Sequence, residues 1–319
     1  MKKLIIAIVV SLVTPVVGFA QNYPHYTMFM FNKLIYNPAY AGSRDVTSIN
    51  GTYRDQWTGI DGAPKEINVS VDAPVGNYMK PFRHVALGLG INNEQVGATN
   101  NTSVMAYYAY RIQLKSSVLS FGLQAGAANY NANYNMLNPY QTNDQLLMQN
   151  IKNAFLPNAG AGVYWYGNNF YAGASVPNLL ENYYDKDHKG VNNEASRQLR
   201  SYYLSGGYVI PLNENIKLEP QVLGRYAGDG TYNLPFNADL NLSVILYDRL
   251  LIGATYRTDK SVEGIIHVQV TNYINIGYAY DYTASALQPY ANGSHEVTIG
   301  FDLIKDHNKY INPRFVKMF

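Results

Sequence analysis

Few residues in this chain are placed to do chemistry. The six histidines are scattered, and no two stand at metal-ligand spacing. His84, His267 and His295 fall on or beside alternating stretches, where an imidazole working with a serine or an aspartate would make a hydrolytic site. The plainer role for each is a polar residue on the inner face or rim of a strand. The stretch DKDHKG, with Asp185, Asp187 and His188, opens like a calcium loop. Lys189 then stands where the fifth-position oxygen belongs and Ser196 where the bidentate glutamate belongs, so it reads as a solvated loop. The glycine-rich run Asn158 to Gly162 precedes a strand and not a helix, and so offers a phosphate no helix N-terminus. No nucleophile elbow, P-loop, dinucleotide fingerprint or zinc-protease helix motif occurs. The expectation is a protein that is not an enzyme, with no catalytic residue, metal or cofactor.

Two other stretches are too specific for mere scaffolding. MFMFNKLIYNPAYAG, Met28 to Gly42, is apolar but broken by Asn32, Lys33, Asn37 and Pro38, and Pro38 denies it a regular helix or central strand. Its Asn32, Asn37, Pro38, Tyr40 and Gly42 are candidate partner-binding or plug residues. The second stretch runs from Tyr53 to Val75 and carries Gln56, Trp57, Gly59, Asp61, Gly62 and Pro64. Asp61-Gly62 and Ala63-Pro64 are turn chemistry. Trp57 either meets a partner or closes the rim of a hairpin.

The elements that position these stretches follow from composition and periodicity. Residues 1–20 read as a secretory signal, with Lys2 and Lys3, an apolar run from Leu4 to Val17, and a small-x-small site before Gln21. The chain has no cysteine, which excludes disulfides and thiolate metal sites. A net charge of +2 gives nucleic acid no basic face. Charged residues are 14% and tyrosines number 30, a composition suited to a surface that meets something other than bulk water. After the signal no apolar run is long enough for a transmembrane helix, so entry into a membrane requires a closed barrel.

Alternation of period two recurs through the chain. In RHVALGLGIN, Val85, Leu87, Leu89 and Ile91 oppose His84, Ala86, Gly88 and Gly90. HEVTIGFDL sets Val297, Ile299, Phe301 and Leu303 against Glu296, Thr298, Gly300 and Asp302. About fourteen such strands are expected, near 46–54, 65–73, 83–92, 101–113, 117–129, 158–167, 169–176, 200–210, 215–226, 235–247, 249–258, 263–270, 273–283 and 294–303. Connections after even strands are mostly tight and those after odd strands mostly long, as in an outer-membrane barrel. An even strand number puts both termini on the short-turn, periplasmic side. Arg111, Lys217, Glu219, Glu263, His267 and Asp302 are then expected to face the lumen. Tyr107, Tyr164, Tyr166, Tyr171, Tyr202, Tyr203, Tyr278 and Tyr280 are expected in interfacial girdles.

The two specific stretches carry a family resemblance. MFNKLIYNPAYAG followed by YRDQWTGIDGAPK and DAPV resembles the PorP/SprF family of the type IX secretion system. GLGINNEQVG, YAYRI, LSFGLQAG and GSHEVTIGFDL also look like that family, while the tail after Leu303 departs from a usual outer-membrane carboxyl end. The resemblance implies a non-catalytic outer-membrane barrel that serves export or surface attachment of cargo with a type B carboxyl-terminal domain, such as adhesins of gliding motility. It also implies partners in the periplasm: a peptidoglycan-binding lipoprotein and the secretion system's lipoprotein ring.

The expected organisation is a signal at 1–20, a periplasmic or lumenal segment at 21–44, a transmembrane barrel at 45–303 and a periplasmic tail at 304–319. Cargo contact is expected on loops 130–157 and 177–199, and periplasmic contact on 21–44 and on Lys305, Lys309, Arg314 and Lys317. Segment 21–44 should start on the periplasmic side. It then either folds into the lumen as a plug, with Asn32 and Asn37 meeting lumen polar groups, or packs on a periplasmic partner. Its own barrel offers the nearest cover. The alternative function is a passive porin or small-molecule transporter.

Overall fold

The computed structural model describes residues 25–137, 150–184, 198–228, 233–284 and 287–303. Fourteen antiparallel strands follow one another in chain order: β1 (Thr47–Asp55), β2 (Lys65–Pro74), β3 (Val85–Val96), β4 (Thr99–Gln113), β5 (Ser117–Ala132), β6 (Ile151–Gly167) and β7 (Phe170–Asn178), then β8 (Ser201–Tyr208), β9 (Ile216–Ala227), β10 (Asn237–Leu246), β11 (Leu250–Arg257), β12 (Ser261–Gln269), β13 (Ile274–Thr283) and β14 (Ser294–Leu303). After Val209, strand β8 resumes at Ile210–Pro211 against the same neighbour. The ring closes where β1 pairs with β14, from Thr47 opposite Leu303 to Asp55 opposite His295. Closure leaves no sheet edge and satisfies every ladder.

Side-chain parity divides the wall. Leu87, Leu89 and Ile91 on β3 are exposed on the outside, as are Val297, Ile299 and Phe301 on β14. The alternate positions turn inward and are polar: Ser48, Asn50, Thr52 and Arg54 on β1 are buried, as are Glu296, Thr298 and Asp302 on β14. An apolar exterior around a polar interior, in a closed antiparallel ring, is an outer-membrane barrel. Among the described residues no helix is long and apolar enough to cross a membrane, so the strands do the crossing.

Tight turns dominate one rim. Between β10 and β11, Tyr247 and Asp248 both take φ 53°, the pair of left-handed residues that a hairpin matching strand twist requires. The other rim carries the connections β1–β2, β5–β6, β7–β8, β9–β10 and β13–β14, all longer.

Several expectations are corrected. The β3–β4 connection shrinks to Gly97-Ala98, because polar Asn92, Asn93 and Glu94 continue the ladder opposite Ser103, Thr102 and Asn101. Strand β6 begins at Ile151 and not 158, so the Asn158–Gly162 run lies inside a strand. Five of the expected girdle tyrosines, Tyr107, Tyr164, Tyr166, Tyr171 and Tyr203, are buried inside the barrel. Their parity is that of the inward residues, and the interior they meet is packed. Tyr202, Tyr278 and Tyr280 are exposed on the outside.

Candidate functional site

The longest consecutive run of buried apolar residues among the described residues belongs to no strand. Tyr26, Met28, Phe29, Met30, Phe31, Leu34, Tyr36 and Ala39 are each at most 5% exposed, and all lie in the segment that precedes β1. Locally this segment is three short turns: a 3-10 turn at Phe29–Phe31, helix α1 at Lys33–Tyr36, and a second 3-10 turn at Pro38–Tyr40. Asn37 separates the last two. Its Oδ1 accepts from the Ala39 amide at 3.0 Å, and Pro38 occupies the first position of the turn, where no amide hydrogen is needed. No piece this short would persist alone in water. The surrounding wall holds it.

The segment enters that wall from the long-loop half. The amides of Thr27 and Met28 donate to the Glu296 carboxylate at 2.6 and 3.0 Å, and Arg54 Nη1 donates to Thr27 Oγ1 at 2.6 Å. Arg54 is itself held by Asp281 at 2.9 Å and Glu296 at 3.2 Å. Arg257 spans Asp239 at 3.0 Å and Asp281 at 3.3 Å and also pairs with Glu263, while Arg225 meets Asp239 at 2.5 Å. All these residues are buried, so each charge depends on its partner. They stand at the long-loop ends of β1 and β9–β14. Residues 25–28 therefore lie in the long-loop half, not on the short-turn side where the segment was expected to start.

From there the chain descends. Asn32 Nδ2 donates to Asn68 Oδ1 at 3.1 Å, and Asn50 Nδ2 reaches the Phe31 carbonyl at 2.6 Å. Phe31 stacks on His267 with ring centres 3.8 Å apart. The Lys33 ammonium lies 3.5 Å over the Tyr171 ring. Asn37 Nδ2 donates to the Val163 carbonyl at 2.9 Å, and Ser175 Oγ donates to the Tyr36 carbonyl at 2.6 Å. At this level the wall is glycine: a Cβ on Gly122 would stand 2.1 Å from the Ala39 nitrogen, and one on Gly162 2.2 Å from Asn37 Oδ1. Bare backbone makes room for Asn37-Pro38-Ala39.

The segment leaves at the short-turn rim. The Gly42 amide donates to Asp72 Oδ2 at 2.7 Å, and its carbonyl accepts from Arg111 Nη1 at 2.6 Å. Gly42 takes φ +68°, and a Cβ there would meet the Ala86 Cβ at 2.4 Å, so both conformation and space demand glycine. Arg44 closes the exit with Ser48 and Asp302, each at 2.5 Å. Tyr40 is half-buried, edge-on to Tyr164 at 5.5 Å. Thus Asn32, Asn37, Pro38, Tyr40 and Gly42 all lie within the ring.

The second motif lies along the long-loop rim. Gln56 donates its amide to the Pro64 carbonyl at 2.9 Å. The Thr58 amide donates to the Gly293 carbonyl at 2.8 Å, and the Asn292 amide returns to the Thr58 carbonyl at 2.7 Å. The Gly97 amide donates to the Gly62 carbonyl at 2.8 Å. Trp57 is half-buried at φ 49°, Gly59 takes φ +97° against Asn292, and Asp61 is exposed. The loop is thereby tied to the β3–β4 turn and to the connection before β14. The first motif runs down the lumen from Asn32 to Gly42 while the second stays on the long-loop rim, so the two do not form one site.

The histidines do not converge. His84 contacts the Arg111 carbonyl at the short-turn rim, His267 contacts Asn275 inside, and His295 contacts the Tyr278 hydroxyl on the outer face. Among the described residues no group of histidine and acidic side chains is arranged to hold a metal ion. The Asp185–His188 stretch lies outside the described residues. The buried arginines Arg54, Arg225 and Arg257 and the wall glycine Gly122 are not singled out by the sequence, which marks Gly162 only as the end of the Asn158–Gly162 run. The usable signal was charge on the inward parity close to long-loop strand ends.

Comparison with known proteins gives the following. The family described as type IX secretion system membrane protein PorP/SprF matches residues 18–301. No curated relative matches the chain. Among solved structures, the Acinetobacter baumannii outer membrane protein Omp33 overlaps at a TM-score of 0.45 with 8% identity, covering 81% of this chain and 98% of that one. The NanC porin overlaps at 0.41 with 11% identity, over 81% and 100% of the two chains. The KdgM porin overlaps at 0.37 with 10% identity, over 81% and 99%.

Proposed function

The chain belongs to the PorP/SprF family of type IX secretion system membrane proteins, and on that premise we propose a barrel that its own amino-terminal segment closes and that works without catalysis. In this reading it serves the export or surface attachment of type B carboxyl-terminal-domain cargo, such as an adhesin. It connects that cargo to periplasmic components, namely a peptidoglycan-binding lipoprotein and the ring of the secretion system. The observation that carries the reading is the seating of residues 25–44, whose apolar side chains are buried inside the ring and whose ends are gripped at both rims. A porin needs a continuous aqueous path, and a packed segment across the lumen argues against one. Cargo contact falls on the long-loop rim, with the tied 56–64 loop among its parts. Periplasmic contact falls on the short-turn rim and on Lys305, Lys309, Arg314 and Lys317, which lie outside the described residues.

The test is affinity purification of the full chain from native outer membranes, with identification of the proteins that come with it. Ring lipoproteins together with a large surface protein bearing a type B domain are the expected company. Recovery of the barrel with neither would end this reading.

A further inference from the structure

Of the connections on the short-turn rim, the one from β2 to β3 is the longest. Residues 75–84 form two 3-10 turns, Val75–Asn77 and Lys80–Phe82. The Tyr78 and Met79 amides both donate to the Val75 carbonyl at 2.9 Å, and the Phe82 amide donates to the Met79 carbonyl at 3.0 Å. The turns press together at Gly76, where a Cβ would stand 2.5 Å from the Arg83 Cα, so only glycine fits. The connection is thus a built shelf. On it Tyr78 is 61% exposed, Met79 56% and Phe82 50%, and three large apolar side chains so bared need cover.

The shelf flares along the outside of the wall. The Tyr78 hydroxyl and Thr47 Oγ1 are hydrogen-bonded at 2.6 Å, and Thr47 shares the outward parity of Ile49 and Tyr53 on β1. His84 lies 5.7 Å from the ring of the outward-facing Tyr110, and its Nδ1 donates to the Arg111 carbonyl at 3.0 Å. Arg83 Nε donates to His84 Nε2 at 3.0 Å, which fixes the imidazole tautomer and aims the guanidinium. Arg83 is exposed, as is Lys115 in the next turn of the rim, and among the described residues no carboxylate pairs with either. With Nε engaged, the Arg83 Nη groups are left for a fork onto an oxyanion such as phosphate. Apolar side chains beside basic heads suit the boundary between hydrocarbon and water. The shelf continues the lipid-facing wall through the exposed Tyr110 and Ile112. In outer-membrane barrels the short turns face the periplasm, so the phosphates at this level belong to the inner leaflet.

We propose that the 75–84 shelf is an interfacial site for one anionic phospholipid of the inner leaflet. Arg83 takes the phosphate, His84 positions Arg83, and Tyr78, Met79 and Phe82 sit among the first acyl carbons. A soluble protein partner fits less well, because Tyr78 and His84 turn toward outward-facing residues of the wall and not toward the periplasm.

The test uses the full chain in amine-oxide micelles, where native mass spectrometry follows the binding of added phosphatidylglycerol, phosphatidylcholine and diacylglycerol. One phosphatidylglycerol per barrel should bind about fivefold more tightly than phosphatidylcholine, with diacylglycerol weaker than both. Inorganic phosphate should not displace it, since it offers the apolar side chains nothing. Arg83→Ala should weaken phosphatidylglycerol about tenfold, and Arg83→Lys less, because a point charge survives without the fork. His84→Ala should cost about threefold alone and nothing beside Arg83→Ala, since it acts through that residue. Arg249→Ala, at an exposed arginine in the β10–β11 turn, should leave binding unchanged. In native outer membranes, Phe82→benzoylphenylalanine should photo-crosslink to phospholipid. Equal binding of the two phospholipids, displacement by inorganic phosphate, or indifference to Arg83→Ala in a barrel with folded gel migration would overturn the proposal. So would equal losses from Arg83→Ala and Arg249→Ala, or a protein adduct at position 82 in place of a lipid one.

Discussion

Along β9 to β14 and β1 the inner wall meets residues 25–28 with ionised side chains, whereas along β5 to β7 it meets residues 36–39 with carbonyls, a hydroxyl and bare glycine positions. The first wall works by compensation. Glu296, Asp281, Asp239 and Glu263 each share an arginine, and the segment's amides join that network as two more donors. The second wall works by vacancy, with no side chain where Ala39 and Asn37 approach Gly122 and Gly162. A compensated wall is broken by subtraction, because removing one partner strands a buried charge. A vacated wall is broken by addition, because one methyl group has nowhere to go.

The largest effect should come from subtraction. Arg54→Met leaves Asp281 and Glu296 short of a cation and should cost about 3–5 kcal/mol, read from guanidinium unfolding of the barrel in micelles. A change under about 1 kcal/mol would mean that the charged wall is wet and the contrast false. Next comes addition: Gly122→Val should cost about 1–3 kcal/mol or expel residues 37–40, detected as new protease cleavage within the segment. An uncleaved, equally stable variant would show that the segment tolerates a bulkier wall. Asn37→Ala removes the cap on Ala39 and the bond to the Val163 carbonyl and should cost about 1–2 kcal/mol by the same unfolding measurement. The smallest effect belongs to the rim. Lys217 is buried but its partner Asp248 is 39% exposed, so Lys217→Ala should change stability by less than about 1 kcal/mol.

The barrel itself was open to reading from sequence, since alternation such as Val297 to Leu303 needs only local pattern. Parity also marked the lumen faces of Arg111, Glu219 and Asp302. It was overridden for the tyrosines: their abundance suggested girdles, although Tyr107 shares the parity of Arg111. Strand ends were less legible where polar residues continue a ladder, as at Asn92 to Glu94. The burial of Met28 to Tyr36 followed from their apolarity. Their direction of travel did not, because the contacts that set it join residues far apart in the chain, Thr27 with Glu296 across 269 positions. Nor does a sequence show that Gly122 and Gly162 stand opposite Ala39 and Asn37. That placement depends on ladder register and on the seated segment together.

The central claim is that residues 25–44 close this barrel from within. Single-channel recording in planar bilayers tests it, using the full chain and a chain lacking residues 25–40, each first checked for heat-modifiable migration. The account predicts a silent full chain and steady open conductance from the shortened barrel. A full chain that conducts steadily, or a folded shortened barrel that stays silent, would contradict it.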